Sequence, residues 1–193
     1  QFLTAAHESC RWLFSRVAIV PVVFVLAFAL HLIIGHFEEL TQRLPALTAL
    51  FDARNLPYLL LAIGFVKVLH ELGHALVCKR FGGEVRELGF LLLVFAPCLY
   101  CDVSDAWRLP SKWRRIAVSA AGIAVEIVLA AVATIVWWYA RPSIVQLVAL
   151  NIMIVCSVNT LLVNGNPLLR YDGYYVLSDL LEIPNLWLRA RDA

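Results

Sequence analysis

Apolar residues fall in four long runs along this chain, and the polar residues cluster in the short stretches between them. A helix that crosses a bilayer needs about 20 predominantly apolar residues. Residues 17–35, 56–78, 116–139 and 144–163 meet that requirement. The first run is apolar throughout. The second is apolar up to Val66 and then carries Lys67, His70, Glu71 and His74. The third ends in Trp137-Trp138-Tyr139, aromatics of the kind that settle at a membrane interface. The fourth breaks at Asn164-Gly165-Asn166-Pro167.

Shorter patterns fill in the remainder. Phe81-Gly82-Gly83 closes the second helix, glycine being common just past a helix C-terminus. The apolar run from Gly89 to Phe95, flanked by Glu87 and Pro97, is too short to cross. Residues 84–103 are therefore expected to form a β or re-entrant segment at the membrane surface. Gly173 to Leu181 reads as a short helix that stops before Pro184. The predicted fold class is an all-α polytopic membrane protein with about four transmembrane helices, the fourth broken near its cytoplasmic end. Residues 1–193 are expected to form one membrane-embedded domain, a fragment of a longer chain.

Composition strengthens the membrane reading. Of 193 residues, 62% are hydrophobic and 16% charged, against about 25% charged in a soluble domain. The net charge of +2 and the lack of a basic stripe leave no argument for nucleic acid. Arg11 and Arg16 precede the first span, and Lys79, Arg80, Arg86, Arg108, Lys112, Arg114 and Arg115 lie between the second and third. The positive-inside rule puts the N-terminus and this stretch in the cytoplasm. Cys10, Cys78, Cys98, Cys101 and Cys156 are odd in number and lie in or beside apolar segments, so they give no disulfide framework. Cys98 and Cys101 form a C-x-x-C without the second pair a structural zinc site needs.

The chemistry concentrates in the second span. His70 and His74 are four residues apart and share one helix face, so both imidazoles can reach one metal ion. Glu71 stands beside the first of them, placed to act as a base. Ionisable side chains inside a span cost about 2.5–3.5 kcal/mol each on insertion scales, which favours a functional reading. A catalytic zinc site normally has three protein ligands. Asp172, after the broken fourth helix, is the candidate third, although an Asp-Gly pair is equally an ordinary turn. Glu126 and Lys67 are further intramembrane candidates, and His31 and His36 read as interfacial histidines. Residues 85–95 offer a strand edge to which an extended peptide could add.

His70-Glu71-Leu72-Gly73-His74, together with Asn164-x-x-Pro167 and Asp172-Gly173, resembles the site-2 protease family of intramembrane metalloproteases over roughly Leu56 to Leu181. The stretches 100–107 and 166–175 resemble a bacterial branch of peptide zinc metalloproteases associated with peptide maturation or export. The resemblance implies that His70, His74 and Asp172 bind Zn2+ and that Glu71 is the general base. It also implies that Asn164 stabilises an oxyanion or positions substrate. The implied partners are the lipid bilayer, a membrane protein or peptide substrate, and export or maturation proteins. The alternative is a non-catalytic metal-binding component of such a system. This chain departs from the family pattern at Leu169, Tyr171 and Glu126, where many members have Pro, Leu and Asn.

Overall fold

The computed structural model describes Trp12 and residues 15–45, 47–93, 96–183 and 185–191. Cys10, Arg11, Phe95, Pro184, Asp192 and Ala193 lie outside the described residues, as do the side chains of Arg16 and Cys98. In chain order the elements are α1 (Arg16–Gly35), α2 (Phe37–Arg43), α3 (Leu47–Leu50), α4 (Leu56–Arg80), β1 (Leu88–Leu93), β2 (Ala96–Cys101), α5 (Lys112–Ser119), α6 (Ala121–Tyr139), α7 (Ile144–Val158), α8 (Asp172–Leu181) and α9 (Leu186–Arg191). The protein is mostly helical, and its sheet is the single pair β1–β2. Among the described residues, four helical stretches are long and apolar enough to cross a membrane: Val17–Gly35, Leu56–Arg80, Ala121–Tyr139 and Ile144–Asn164.

Two of the apolar runs are less regular than their sequence suggests. The third run is divided at Ala120, whose N–H points to the carbonyls of both Ile116 and Val118. The tightened turn there separates the amphipathic α5 from the membrane-length α6. The fourth run is α-helical to Val158 and then widens into a π-helical turn, Asn159–Asn164. Gly165 N–H donates five residues back, to Thr160 O at 2.8 Å. Such widened turns occur disproportionately at functional sites.

The chain forms two compact units. One comprises residues 10–67 and 126–158. Its core gathers Leu40, Leu50, Trp137, Ala149 and Leu150. The carboxamides of Asn55 and Asn151 donate to each other, at 3.1 and 2.8 Å, and Asn55 also donates to Leu50 O. Both are buried, so the reciprocal pairing removes the cost of unsatisfied polar atoms in an apolar setting. Many residues of α1 face outward, among them Val17, Val20, Phe24 and Ile34. A soluble helix would bury such a face, whereas lipid accommodates it.

The other unit comprises residues 68–125 and 159–193, together with residues 1–9, which lie outside the described residues. Its core gathers Cys78, Ala106, Leu109 and Val118. β1 and β2 pair antiparallel from Leu88↔Cys101 to Leu93↔Ala96. Past the hairpin, Asp105 accepts from Glu84 N–H and from Arg108, and these two donors hold its carboxyl below the ordinary carboxylate range. An ion pair joins α5 to α8, Arg115 Nε to Asp179 Oδ1 at 2.6 Å, and a second joins Lys112 Nζ to Oε1 of Glu182, the residue that caps α8, at 2.5 Å.

Candidate metal centre

All five sequence-predicted site residues fall in the second of these units. His70, Glu71 and His74 are presented by α4. Asn164 ends the π-helical turn, and Asp172 is the first residue of α8, where the helix dipole favours a carboxylate. The structure brings His70, His74 and Asp172 together. Their Nε2 atoms are 3.1 Å apart, and Asp172 Oδ2 lies 3.2 Å from each. Both imidazoles are buried and the carboxylate nearly so.

Proton placement decides what this triangle means. His74 Nδ1 lies 2.7 Å from Val118 O, a carbonyl that can only accept, so Nδ1 carries a proton. In the neutral ring Nε2 is then a bare lone pair aimed at the triangle. Asp172 Oδ2 is buried there without a hydrogen-bond partner of good geometry. Were the rings to carry extra protons, their hydrogen bonds would outweigh the opposing effect of burial and hold the carboxyl down at about 2. The Val118 bond sets the tautomer of a neutral His74 ring, whose bare Nε2 then faces the Asp172 carboxylate, lone pair against lone pair. Such a cluster is costly unless a cation sits among them.

The dimensions fit zinc. Tetrahedral ligand atoms at about 2.0–2.2 Å from zinc stand about 3.3–3.6 Å apart, only slightly wider than the triangle found. The donor set of two imidazoles and one carboxylate also occurs in catalytic zinc sites. Gly122, on α6, keeps the space open: a Cβ there would lie 2.5 Å from both Nε2 atoms and against His70 Cε1. Gly73 and Gly173 permit further close approaches. A Cβ at Gly73 would meet Val125 at 2.9 Å, and one at Gly173 would meet Gly165 O at 2.6 Å.

Asn164 is buried, its side-chain amide 3.4 Å from His70 Nδ1. Beside the triangle is a cavity of about 280 Å3 lined by, among others, Glu71, His74, Asp172, Arg115, Asp179 and Trp107. Asn164 is not among its lining residues. Cys101 also lines it, with a thiol pushed up to about 12 by burial and by the nearby charge of Glu71. Cys78, Cys101 and Cys156 are free thiols.

The other residues singled out in the sequence lie elsewhere. His31 and His36 are exposed, with His36 Nδ1 3.6 Å from Glu39. Lys67 is half-buried and Glu126 is fully buried. Among the described residues, only His70, His74 and Asp172 form a potential metal-ligating group. Sequence reasoning missed Val118, Gly122, Arg115 and Asp179. Arg115 reads in the sequence only as part of a basic stretch, and Val118 acts through its backbone, which carries no sequence signal.

Residues 58–146 match the model of peptidase family M50. Over those residues the chain is similar to that family. The M50 match includes His70, Glu71, His74 and Gly122 but ends before Asn164 and Asp172, so the place of these two rests on geometry. A Bacillus subtilis (strain 168) protein named "Putative peptide zinc metalloprotease protein YydH" is 27% identical over 161 residues, covering 82% of this chain. The chain spans 62% of that relative's length. No solved structure matches. The chain thus combines a partial likeness to zinc metalloproteases with four helical stretches, among the described residues, that are long and apolar enough to cross a membrane.

Proposed function

We propose that the chain is an intramembrane zinc metalloprotease that hydrolyses peptide bonds of membrane proteins or membrane-associated peptides. The observation that carries this reading is the convergence of His70 Nε2, His74 Nε2 and Asp172 Oδ2 within 3.2 Å of one another, beside a cavity that Glu71 also lines. These three atoms would hold the ion. A zinc ion bound there supplies Lewis-acid polarisation of the scissile carbonyl and acidifies the attacking water.

The chain's own residues do the remaining work. Glu71 takes a proton from water as its oxygen adds to the peptide carbon, and returns it to the amide nitrogen as the C–N bond breaks. A carboxylic acid and an amine result, and Glu71 ends as it began. Val118 O fixes the tautomer and aim of His74. Family resemblance gives Asn164 a place at the oxyanion, but the 3.4 Å approach of its amide Nδ2 to His70 Nδ1 favours a role in orienting that ring. A helical substrate must unwind locally, because an intact helix ties up its peptide groups. Lys and Arg in residues 79–115 support an orientation with this end of the protein in the cytoplasm.

The test is Glu71→Gln in the zinc-loaded chain. It is expected to retain zinc and to lose cleavage of a membrane-protein or peptide substrate, whereas His74→Ala and Asp172→Ala lose zinc as well. Unchanged proteolysis by Glu71→Gln would refute the catalytic assignment. The same variant separates an enzyme from a component that only binds metal.

A further inference from the structure

The cavity beside the triangle holds one cation that no metal-ligand motif accounts for. Arg115, on α5, lines the space that Glu71, His74 and Asp172 also line. Its side chain is 21% exposed, so it is largely withdrawn from solvent yet reachable from the cavity. Two contacts fix it. Nε–H donates to Asp179 Oδ1 at 2.6 Å, and Nη1 donates to Leu109 O at 3.1 Å. Arginine carries five N–H donors in a rigid fork. The donors not used by Asp179 and Leu109 have no protein acceptor among the described residues.

The position of this fork relative to the site is set by short stretches of chain. Arg115 lies one helical turn before Val118, whose carbonyl holds His74. Asp179 lies two turns after Asp172 on α8, hence on the same helix face. One wall of the cavity therefore carries a metal-ligand carboxylate at one end and an anchored guanidinium at the other. Hydrolysis of a peptide places a developing negative charge on the former carbonyl oxygen, and a preorganised donor aimed at that charge is commonly the largest single contribution to such catalysis. Asn164, the residue that family resemblance nominates, faces His70 and not the cavity.

We infer that Arg115 is the catalytic oxyanion partner of this site, held ready by Asp179 and offering its spare N–H donors to the scissile carbonyl oxygen. The inference rests on the protease reading above. It adds no covalent step: Arg115 donates hydrogen bonds that strengthen as the oxygen gains charge. The Asp179 pair locks the fork in one pose, so little ordering is needed when substrate arrives.

The test compares wild type with Arg115→Lys and with the double variant Arg115→Gln/Asp179→Asn, which avoids stranding a buried carboxylate. Three quantities are read for each: zinc affinity, cleavage rate of a peptide substrate, and affinity for a peptide phosphinate whose anionic oxygen mimics the oxyanion. Arg115→Lys keeps the Asp179 pair but loses the fork. Both variants are expected to bind zinc as wild type does, to lose about 100- to 1,000-fold in kcat and to weaken phosphinate binding by a similar factor. Loss of zinc affinity in step with activity would show that Arg115 merely clamps α5 to α8, and would overturn the inference. Unchanged phosphinate affinity would overturn it too. Failure of the underlying protease reading looks different: wild type would show no cleavage dependent on Glu71, and the phosphinate would not bind in a zinc-dependent way.

Discussion

His74 Nδ1 and Val118 O are 2.7 Å apart, although the two residues are 44 positions apart in the chain. Through this contact the backbone of α5 dictates which nitrogen of a helix-α4 histidine is left bare. Side-chain partners of ligating histidines are commonly replaceable by mutation, but a main-chain carbonyl is not. The site can be disturbed here only by moving α5.

Gly122 gives the sharpest test of that dependence. Gly122→Ala should weaken zinc binding at least 10- to 100-fold, because the new methyl group would crowd both Nε2 atoms. Gly64→Ala is the matched control, since nothing lies within 4 Å of a Cβ at that position. A glycine replaced by alanine within a helix normally gains up to about 1 kcal/mol, so the control should be neutral or stabilising. Zinc titration of both variants checks the contrast.

Asp172→Asn should separate metal binding from stability. In the metal-free protein the carboxylate oxygen is buried without a good hydrogen bond, and an amide carries less charge into that setting. The metal-free variant should therefore melt at or above the metal-free wild type. Adding zinc should raise the melting temperature of wild type, since a ligand bound only to the folded state stabilises it by mass action, and should do so far less for the variant. Thermal melts with chelator and with zinc provide the check. A variant that melts well below metal-free wild type would contradict the lone-pair clash.

Cys101 should resist alkylation despite lining the cavity. Its thiol is pushed up to about 12, so at pH 8 about one molecule in 10,000 carries the reactive thiolate. Iodoacetamide labelling at Cys101, followed by mass spectrometry, should be far slower than for an exposed thiol and should rise steeply only at strongly alkaline pH.

Asn55 and Asn151 should behave as one unit. Leu substituted at either position strands the other amide, whereas the double substitution removes both. A double-mutant cycle should give a coupling of about 0.6–1.7 kcal/mol, the range for hydrogen bonds between membrane helices. Additive losses would show that the two amides act separately.

Much of this architecture could be read from residue order. The four apolar runs were long enough to announce spans, and His70 and His74 needed only the helix repeat to share a face. Asp172 was nominated by the broken helix before it, and its carboxylate lies 3.2 Å from both Nε2 atoms. What stayed hidden depends on contacts between distant backbones. Nothing in Ser119-Ala120-Ala121-Gly122 distinguishes the one position where a Cβ would crowd two imidazoles from its neighbours. Val118 acts through its carbonyl, an atom every residue possesses. Arg115 was indistinguishable from the surrounding basic residues until Asp179, 64 positions away, was seen to hold it. The division of the third run at Ala120 was masked because Lys112 to Tyr139 contains no Pro and only one Gly to mark a break.

The reciprocal amide pair also bears on biogenesis. Asn55 enters the bilayer at the start of α4, yet its mate is 96 residues further along and is synthesised much later. Until then that carboxamide has Leu50 O within its own stretch of chain, while its oxygen waits for the Asn151 amide. The pair therefore closes only once α7 has emerged, which makes settling of this half of the protein a late, cooperative event.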